Sequence, residues 1–338
     1  ILIIDEAQDL TPLQWKMVHK LSKSSEKIYI AGDDDQAIFE WNGADVRDYI
    51  EFPGKEYILT QSHRIPKIIH DFSSYISDMI KPRVTKEFLP SKKQGTILTY
   101  SKFKDVGQAI EDSKGDWLIL GRTQEIVREL EDEARKYGLF FKNTKGKTSF
   151  DINKWNAIKY WNKLMNNGVV SKEEAGIIYT YVNEIAYGWR SIESKRWMNI
   201  QDSGQLSLDF LRTFAGLTAD PGPWQTVFNK NFPEKDKFYF DKILENNLDL
   251  DMASRITIDT IHSVKGGEAD HVCLFEKANW PAHFGHKVGI ARSSEARVWY
   301  VGVTRAKQSL HILRSDHQYY FPLARLNNQF IKDNYGSS

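Results

Sequence analysis

The sequence predicts an α/β fold of parallel sheets covered by helices, interrupted by a mainly helical insertion. Three observations carry that expectation. Short apolar, largely β-branched runs end abruptly in polar tips, as buried parallel strands do at the C-terminal edge of a sheet. Amphipathic segments of helical period alternate with those runs. From about residue 166 to 252 the alternation stops, and aromatic residues crowd a stretch of helical patterns and polar turns.

Composition sets the outer limits. The chain has 338 residues, enough for two or three domains. Hydrophobic residues make up 41% and aromatics 13%, so a substantial core is expected rather than disorder. Lys plus Arg total 46 against 45 Asp plus Glu. That balance excludes a globally basic nucleic-acid binder and leaves room for a local basic groove. The single cysteine, Cys273, excludes an internal disulfide and points to a reducing compartment. A cytoplasmic location is expected, since no apolar run has membrane-spanning length and no secretory signal is present. The chain opens without Met, inside a strand, and reads as a piece of a longer protein.

Ile1-Leu2-Ile3-Ile4 is the first such strand, and Asp5-Glu6-Ala7-Gln8-Asp9 is its tip. Ligands of open α/β sheets bind at that edge. An Asp there can hold Mg2+, which takes hard oxygen ligands. A neighbouring Glu can orient or deprotonate a water for attack on a phosphate. A strand followed by an acidic helix start explains the same residues, so these nine positions leave both readings open. Thr11 and Pro12 form an N-cap and first-turn pair for a helix through Trp15, Val18 and Leu21. Lys27–Ala31 is a second strand, running into Gly32-Asp33-Asp34-Asp35-Gln36. Phe39 and Trp41 stand two apart, which in extended chain puts both rings on one side. They could stack nucleobases, at about 1–3 kcal/mol each, or bury against the core, the commoner fate of such rings.

Phe52-Pro53-Gly54 marks a domain boundary. Beyond it, strands are expected at Tyr57–Thr60, Gly95–Tyr100, Asp116–Leu120 and Leu139–Lys142. Helices are expected through Ile68, Ile69, Phe72, Tyr75 and Ile76, and after Gly121-Arg122-Thr123 through Ile126, Val127, Leu130 and Ala134. Gly146-Lys147-Thr148 imitates a phosphate loop, but that loop needs a Gly where Phe141 stands, so an exposed turn is expected. Within the insertion, helical patterns cover 171–187 and 205–217. The α/β rhythm returns with a strand at Arg255–Ile258, the polar loop 259–270 and a strand at His271–Phe275. The adjacent glycines of that loop can bring backbone N–H groups close to an anion. His271, Cys273, His283 and His286 fit no zinc spacing. Val298–Lys307 reads as an amphipathic helix with Thr304 and Arg305 near one end. Ser309–Leu313 is a last strand, and the tail from about 333 reads as polar and loose.

Taken in order, five of these segments resemble the motifs of the UvrD/Rep-like branch of superfamily 1 DNA helicases. DEAQD at 5–9 resembles the Walker B motif, and GDDDQAIFEWNGA at 32–44 the third motif. LTQSHRIP at 59–66 resembles the fourth, TIHSVKGGEAD at 260–270 the fifth, and YVGVTRAK at 300–307 the sixth. The resemblance implies two RecA-like domains of the P-loop NTPase type. Residues 1–55 would end the first, 56–165 with 253–338 would form the second, and 166–252 would be an inserted, mainly helical subdomain. It implies ATP and Mg2+ as cofactors, and single-stranded DNA and duplex junctions as partners. Asp5 would hold Mg2+, Glu6 would activate the attacking water, and Gln36 would sense the γ-phosphate. Arg64 and Arg305 would be arginine fingers. Glu268 would contact the ribose, with Gly267 beside it at the nucleotide. Phe39 and Trp41 would stack DNA bases, and Thr260 and His262 would touch the DNA backbone. Lys265-Gly266, and the IFEWNGA segment, resemble the 3′-to-5′ translocating branch.

There are departures. His63 stands where the family commonly has the Tyr that stacks on adenine. Gly267 replaces a usual Leu, Ala269 a usual Phe and Phe39 a usual Tyr. The family also uses a GxGKT-type loop before the Walker B strand. The 338 residues hold none, so alone they are expected to hydrolyse little or no ATP. Two other readings stay open: a non-catalytic DNA- or partner-binding module on a degenerate helicase fold, and the motor part of a helicase–nuclease.

Overall fold

The structure is a computed structural model and describes residues 1–192, 194–198, 200, 205–229, 231–246, 254–279 and 289–336. The chain divides into two compact units. One comprises 1–134, 141–147 and 253–338; the other comprises 135–140 and 148–252.

In the first unit, β1 (Leu2–Ile4) pairs in parallel with β2 (Ile28–Ile30). The connection is α1 (Pro12–Ser22), which Thr11 starts with a capping box: its hydroxyl accepts from Gln14 N–H, and the Gln14 side chain accepts from Thr11 N–H at 2.8 Å. Trp15 and Val18 turn inward onto Ala7. A short helix, α2 (Val46–Ile50), follows, and then α3 (Lys67–Ser77).

A larger sheet fills the rest of this unit. Its strands are β3 (Thr96–Tyr100), β4 (Trp117–Gly121), β5 (Ile256–Thr260), β6 (Ala269–Phe275) and β7 (Ala306–Leu313). They lie in the order β3-β7-β6-β4-β5, and every neighbouring pair is parallel. β4 is buried at every residue, as its apolar run requires in a sheet covered on both faces. The covering helices include α4 (Phe103–Asp112) and α5 (Gln124–Lys136). Ile69, Phe72 and Ile76 of α3 enter the main core, with Leu118, Leu120, Val272, Leu274, Trp299 and Leu310.

The second unit is helical: α6 (Ile152–Met165), α7 (Lys172–Tyr181), α8 (Lys195–Met198), α9 (Leu208–Phe214), α10 (Trp224–Val227) and α11 (Glu234–Glu245). Its core is aromatic, built on Trp155, Trp161, Tyr179, Trp197, Phe228 and Phe240 among others. Several of these rings place their polar edge on a backbone carbonyl: Tyr179 OH donates to Ala215 O at 3.1 Å and Trp161 Nε1 to Gly222 O at 2.8 Å, while Trp155 Nε1 is buried without a partner. The aromatic richness of this stretch therefore serves packing. Back in the first unit, the chain continues through α12 (Gly289–Val303) and ends on α13 (Leu323–Tyr335). The chain is thus an α/β protein with a five-stranded parallel sheet of the RecA-like kind.

Several expectations need correction. The helical unit takes in 148–165, whereas a boundary at 166 would leave α6 with the α/β part; Trp155, Ile158, Trp161 and Leu164 of α6 lie in the aromatic core. Tyr57–Thr60 is not a strand. One bridge, Gln61 to Leu89, is all that pairs there, and Tyr57 and Leu59 are 75% and 86% exposed. Leu139–Lys142 contributes only a bridge from Lys142 to Thr257. The segment expected to be helical to Lys307 stops at Val303, and Ala306 already begins β7, so Arg305 sits in the tight turn between them. The tail stays helical to Tyr335 because Phe330 packs on Phe72 and Tyr75, with rings 5.8 and 5.5 Å apart. Residues 143–148 form an exposed turn with Gly146 at φ 79°, as expected. His283 and His286 lie outside the described residues. Among the described residues no group of three His, Cys, Asp or Glu could hold a metal.

Candidate active site

The tips of β1 and β2 are tied together by one amide. Glu6 leaves β1 in the left-handed region, at φ 51°, and its N–H donates to Asp5 Oδ1 at 2.9 Å. The kink leaves both carboxylates exposed at the tip. Buried Gln8 donates from Nε2 to Glu6 Oε2 at 2.5 Å, and its Oε1 accepts from Asp33 N–H at 3.1 Å. Gly32 is required beside it: a Cβ there would lie 2.4 Å from Gln8 Oε1 and 3.0 Å from the Tyr49 ring.

Arg305 meets this tip from the other side of the chain. Its Nη2 donates to Gln36 Oε1 at 2.9 Å, its Nη1 to Gly267 O at 3.3 Å, and its Nε to Val301 O at 2.9 Å. Arg64 lies near Glu268, Nη1 to Oε2 3.8 Å, and Lys307 approaches the same carboxylate at 3.6 Å. Burial pulls the Arg305 guanidinium down to about 10, and the Arg64 charge adds to it. Burial lowers Arg64 too, with Glu268 opposing. Arg64 Nε is a buried donor with no partner. One buried and one half-buried guanidinium, the latter with an unmet donor, fit an anion such as a polyphosphate. The exposed Asp5 and Glu6 fit Mg2+, which commonly takes one or two carboxylates together with phosphate oxygens rather than a protein cage.

Lys265 joins the two halves. Its Nζ donates to Gln36 O at 2.8 Å, bonds Asp9, lies 3.5 Å from Glu6 Oε2 and sits 5.2 Å from the centre of the Phe39 ring. Phe39 and Trp41 are neighbours, 6.2 Å apart, through a different geometry from the extended chain expected. Phe39 begins the tight turn Glu40–Asn42, packs against the core and meets the His262 ring edge-on at 6.3 Å. Trp41 is 74% exposed. Burial pushes His262 down to about 4, with Arg122 adding to it. Thr260 is buried, and its hydroxyl is shared with Ser263 Oγ at 2.8 Å, so it shapes the turn. His63 is exposed.

These segments coincide with two family matches. Residues 1–56 match the UvrD/REP helicase N-terminal domain, and residues 60–317 match the UvrD-like helicase C-terminal domain. The chain belongs to the UvrD-like helicase family. It is 22% identical over 91% of its length to a probable DNA helicase II homolog from Mycoplasma pneumoniae, covering 53% of that protein. It is 21% identical over 98% of its length to the ATP-dependent DNA helicase PcrA of Bacillus subtilis, covering 57%. With DNA helicase II of Escherichia coli it shares 22% over 91%, covering 55%. The chain spans about half the length of the curated relatives it matches.

Within this UvrD-like chain, Glu6, Gln36, Arg64, Arg305, Gly267 and Glu268 are linked directly or through one intervening residue, with Asp5 adjoining Glu6. Phe39, Trp41 and His262 form a second group, joined to the first through Lys265. Sequence reasoning missed Gln8 and Lys265 as site residues. Both stand inside the quoted motifs, but nothing local shows what they touch: Gln8 reaches Asp33 across 25 positions, and Lys265 reaches Gln36 and Asp9 across more than 200. Among the described residues no helix is long and apolar enough to cross a membrane.

Proposed function

We propose that this chain is the part of an ATP-dependent DNA helicase that completes the nucleotide site and grips single-stranded DNA, translocating 3′ to 5′ towards duplex junctions. One observation supports this most: Arg305 reaches Gln36 and Gly267 while Lys265 reaches Glu6, so tips from both family-matched segments converge.

In this reading Asp5 holds Mg2+ and Glu6 takes a proton from the attacking water at its carboxylate. Gln36, Arg64 and Arg305 stabilise charge that develops on the phosphates, a contribution worth about 10³–10⁵ in rate for a well-placed arginine. Gly267 and Glu268 line the sugar side, and His63 covers the base. Bound ATP with its Mg2+ supplies the phosphoanhydride cleavage that drives the cycle. Phe39 and Trp41 stack bases, with His262 and the turn shaped by Thr260 beside the strand. Lys265 touches both the acids and the Phe39 platform, and so links hydrolysis to grip. A pure binding module would need neither exposed acids at a strand tip nor a buried guanidinium beside Gln36 with a second, half-buried one near Glu268.

The experiment is Glu6→Gln in the whole protein that carries this chain. DNA-stimulated ATP hydrolysis should fall by about 10²–10⁴ while nucleotide binding persists; undiminished turnover rejects the assignment. Unwinding of 3′-tailed but not 5′-tailed duplexes checks the polarity.

A further inference from the structure

The turn that carries Gln36 is held by a charge cluster to which the roles above assign no part. Asp34 and Asp35 are almost wholly buried and Asp33 lies beside them. Adjacent carboxylates out of water repel one another unless cations and N–H groups meet them. Lys86 Nζ lies 2.5 Å from Asp33 Oδ1 and 3.3 Å from Asp35 Oδ2, and bonds Asp34 as well. Arg83 makes a two-bond fork to Asp35 at 3.0 and 2.7 Å, and Val84 N–H donates to Asp34 Oδ2 at 2.7 Å. From α12, Arg297 donates to Asp34 O at 2.9 Å, to Pro82 O at 2.6 Å and to Glu40 Oε1 at 3.0 Å. Burial works against the Lys86 charge, but the three carboxylates outweigh it and push its pKa up.

Asp33 links this cluster to the site. One of its oxygens receives Lys86; the other receives Gln36 Nε2 at 2.6 Å. An ionised carboxylate only accepts, so the end of the Gln36 amide facing it is the NH2. The Gln36 oxygen is then the end presented to Arg305, a group that only donates, at 2.9 Å. We propose that Lys86 is a positioning residue for the ATPase site: by holding Asp33 it sets the orientation of the Gln36 amide, and with Arg83 and Arg297 it fastens the 33–36 turn to segment 82–84. The inference rests on the reading of Gln36 as the phosphate-sensing residue.

The test is a double-mutant comparison of DNA-stimulated ATPase in the whole protein. Gln36→Ala is expected to lower kcat by roughly 10²-fold, as loss of a preorganised polar contact to developing charge does. Lys86→Met should lower kcat by about tenfold or more with KM for ATP little changed, and Lys86→Arg should restore most of it. In the double variant the loss should equal that of Gln36→Ala alone, because both act through one amide. Multiplying losses would overturn the proposal, since a merely structural role adds independently. If Lys86→Met fails to fold, Asp33→Asn carries the same comparison; wild-type kcat in that variant would overturn the proposal. Full turnover of Gln36→Ala would instead reject the sensor reading beneath it. Loss in Gln36→Ala alone, with Lys86→Met and Asp33→Asn unaffected, would reject only the role of Lys86.

Discussion

Arg305 shows how much one side chain can depend on shape. It makes four hydrogen bonds, to Val301, Gly267, Thr304 and Gln36, which a planar fork can do and a single ammonium cannot. In the whole protein that carries this chain, Arg305→Lys is therefore expected to reduce ATP turnover by about 10³-fold or more, read from steady-state kinetics. A second residue-scale feature lies in the sheet. His271 Nε2 faces Lys114 O at 2.7 Å, so it carries the proton and leaves Nδ1 to accept from Ser309 Oγ at 2.6 Å. Ser309 then accepts from His311 Nε2 at 2.7 Å, and His311 Nδ1 accepts from Tyr100 OH at 3.1 Å. A neutral His311 thus meets Ser309 as donor and Tyr100 as acceptor. Burial pushes His311 down to about 4, below its ordinary 6.5, with the neighbouring His271 adding to it. Between those values the unfolded state binds more protons, so stability is full above about pH 6.5 and is lost as pH falls towards 4. The unfolding free energy from urea melts should drop over that window, by up to a few kcal/mol for a fully buried imidazole, and His311→Gln should flatten the slope. An unchanged slope would sink the assignment.

At the scale of elements, the strands were legible from short apolar runs that end in polar tips: β1, β2 and β3 to β7 all fall on such runs, although only β4 is buried at every residue and Ile3 of β1 and Tyr29 of β2 are exposed. Tyr57–Thr60 has the same composition and forms no strand. Strand formation needs a paired neighbour, and the partner offered there is Leu89 alone. Amphipathic helices at α3 and α5 were legible from period, whereas α4, α11 and α13 passed unnoticed because their short apolar faces are diluted by charge. The join between β1 and β2 gives an element-scale prediction. Gly32→Ala would drive a Cβ into Gln8 Oε1, displacing the amide that binds both tips. It should cost about 1–3 kcal/mol, seen as a lower urea midpoint, and should lower ATP turnover in the whole protein that carries this chain.

For the whole molecule, the family match makes the α/β unit and the aromatic unit parts of a helicase-type chain. The aromatic unit stands on large buried rings, so Trp161→Ala should cost about 3–5 kcal/mol by urea denaturation followed through tryptophan fluorescence. The 338 residues contain no GxGKT-type loop. Isolated, they are expected to show little DNA-stimulated ATPase while still binding single-stranded DNA through Phe39 and Trp41; appreciable turnover would overturn this, and Trp41→Ala should weaken DNA binding by about 1–3 kcal/mol.

By itself the sequence determined the fold class and, Tyr57–Thr60 and Leu139–Lys142 apart, the position of the strand tips and the identity of the residues there, because apolar runs and the chemistry of tips are local properties written in neighbouring positions. Tertiary structure decided which tips meet. Gln36 and Arg305 are 269 positions apart yet hydrogen-bonded, and Lys265 reaches Asp9 across 256. It decided, too, that α6 belongs to the aromatic unit and that Thr260 turns inward on Ser263. Those outcomes follow from packing between distant segments and from the need of each buried charge for a partner, and neither leaves a local signature in the chain.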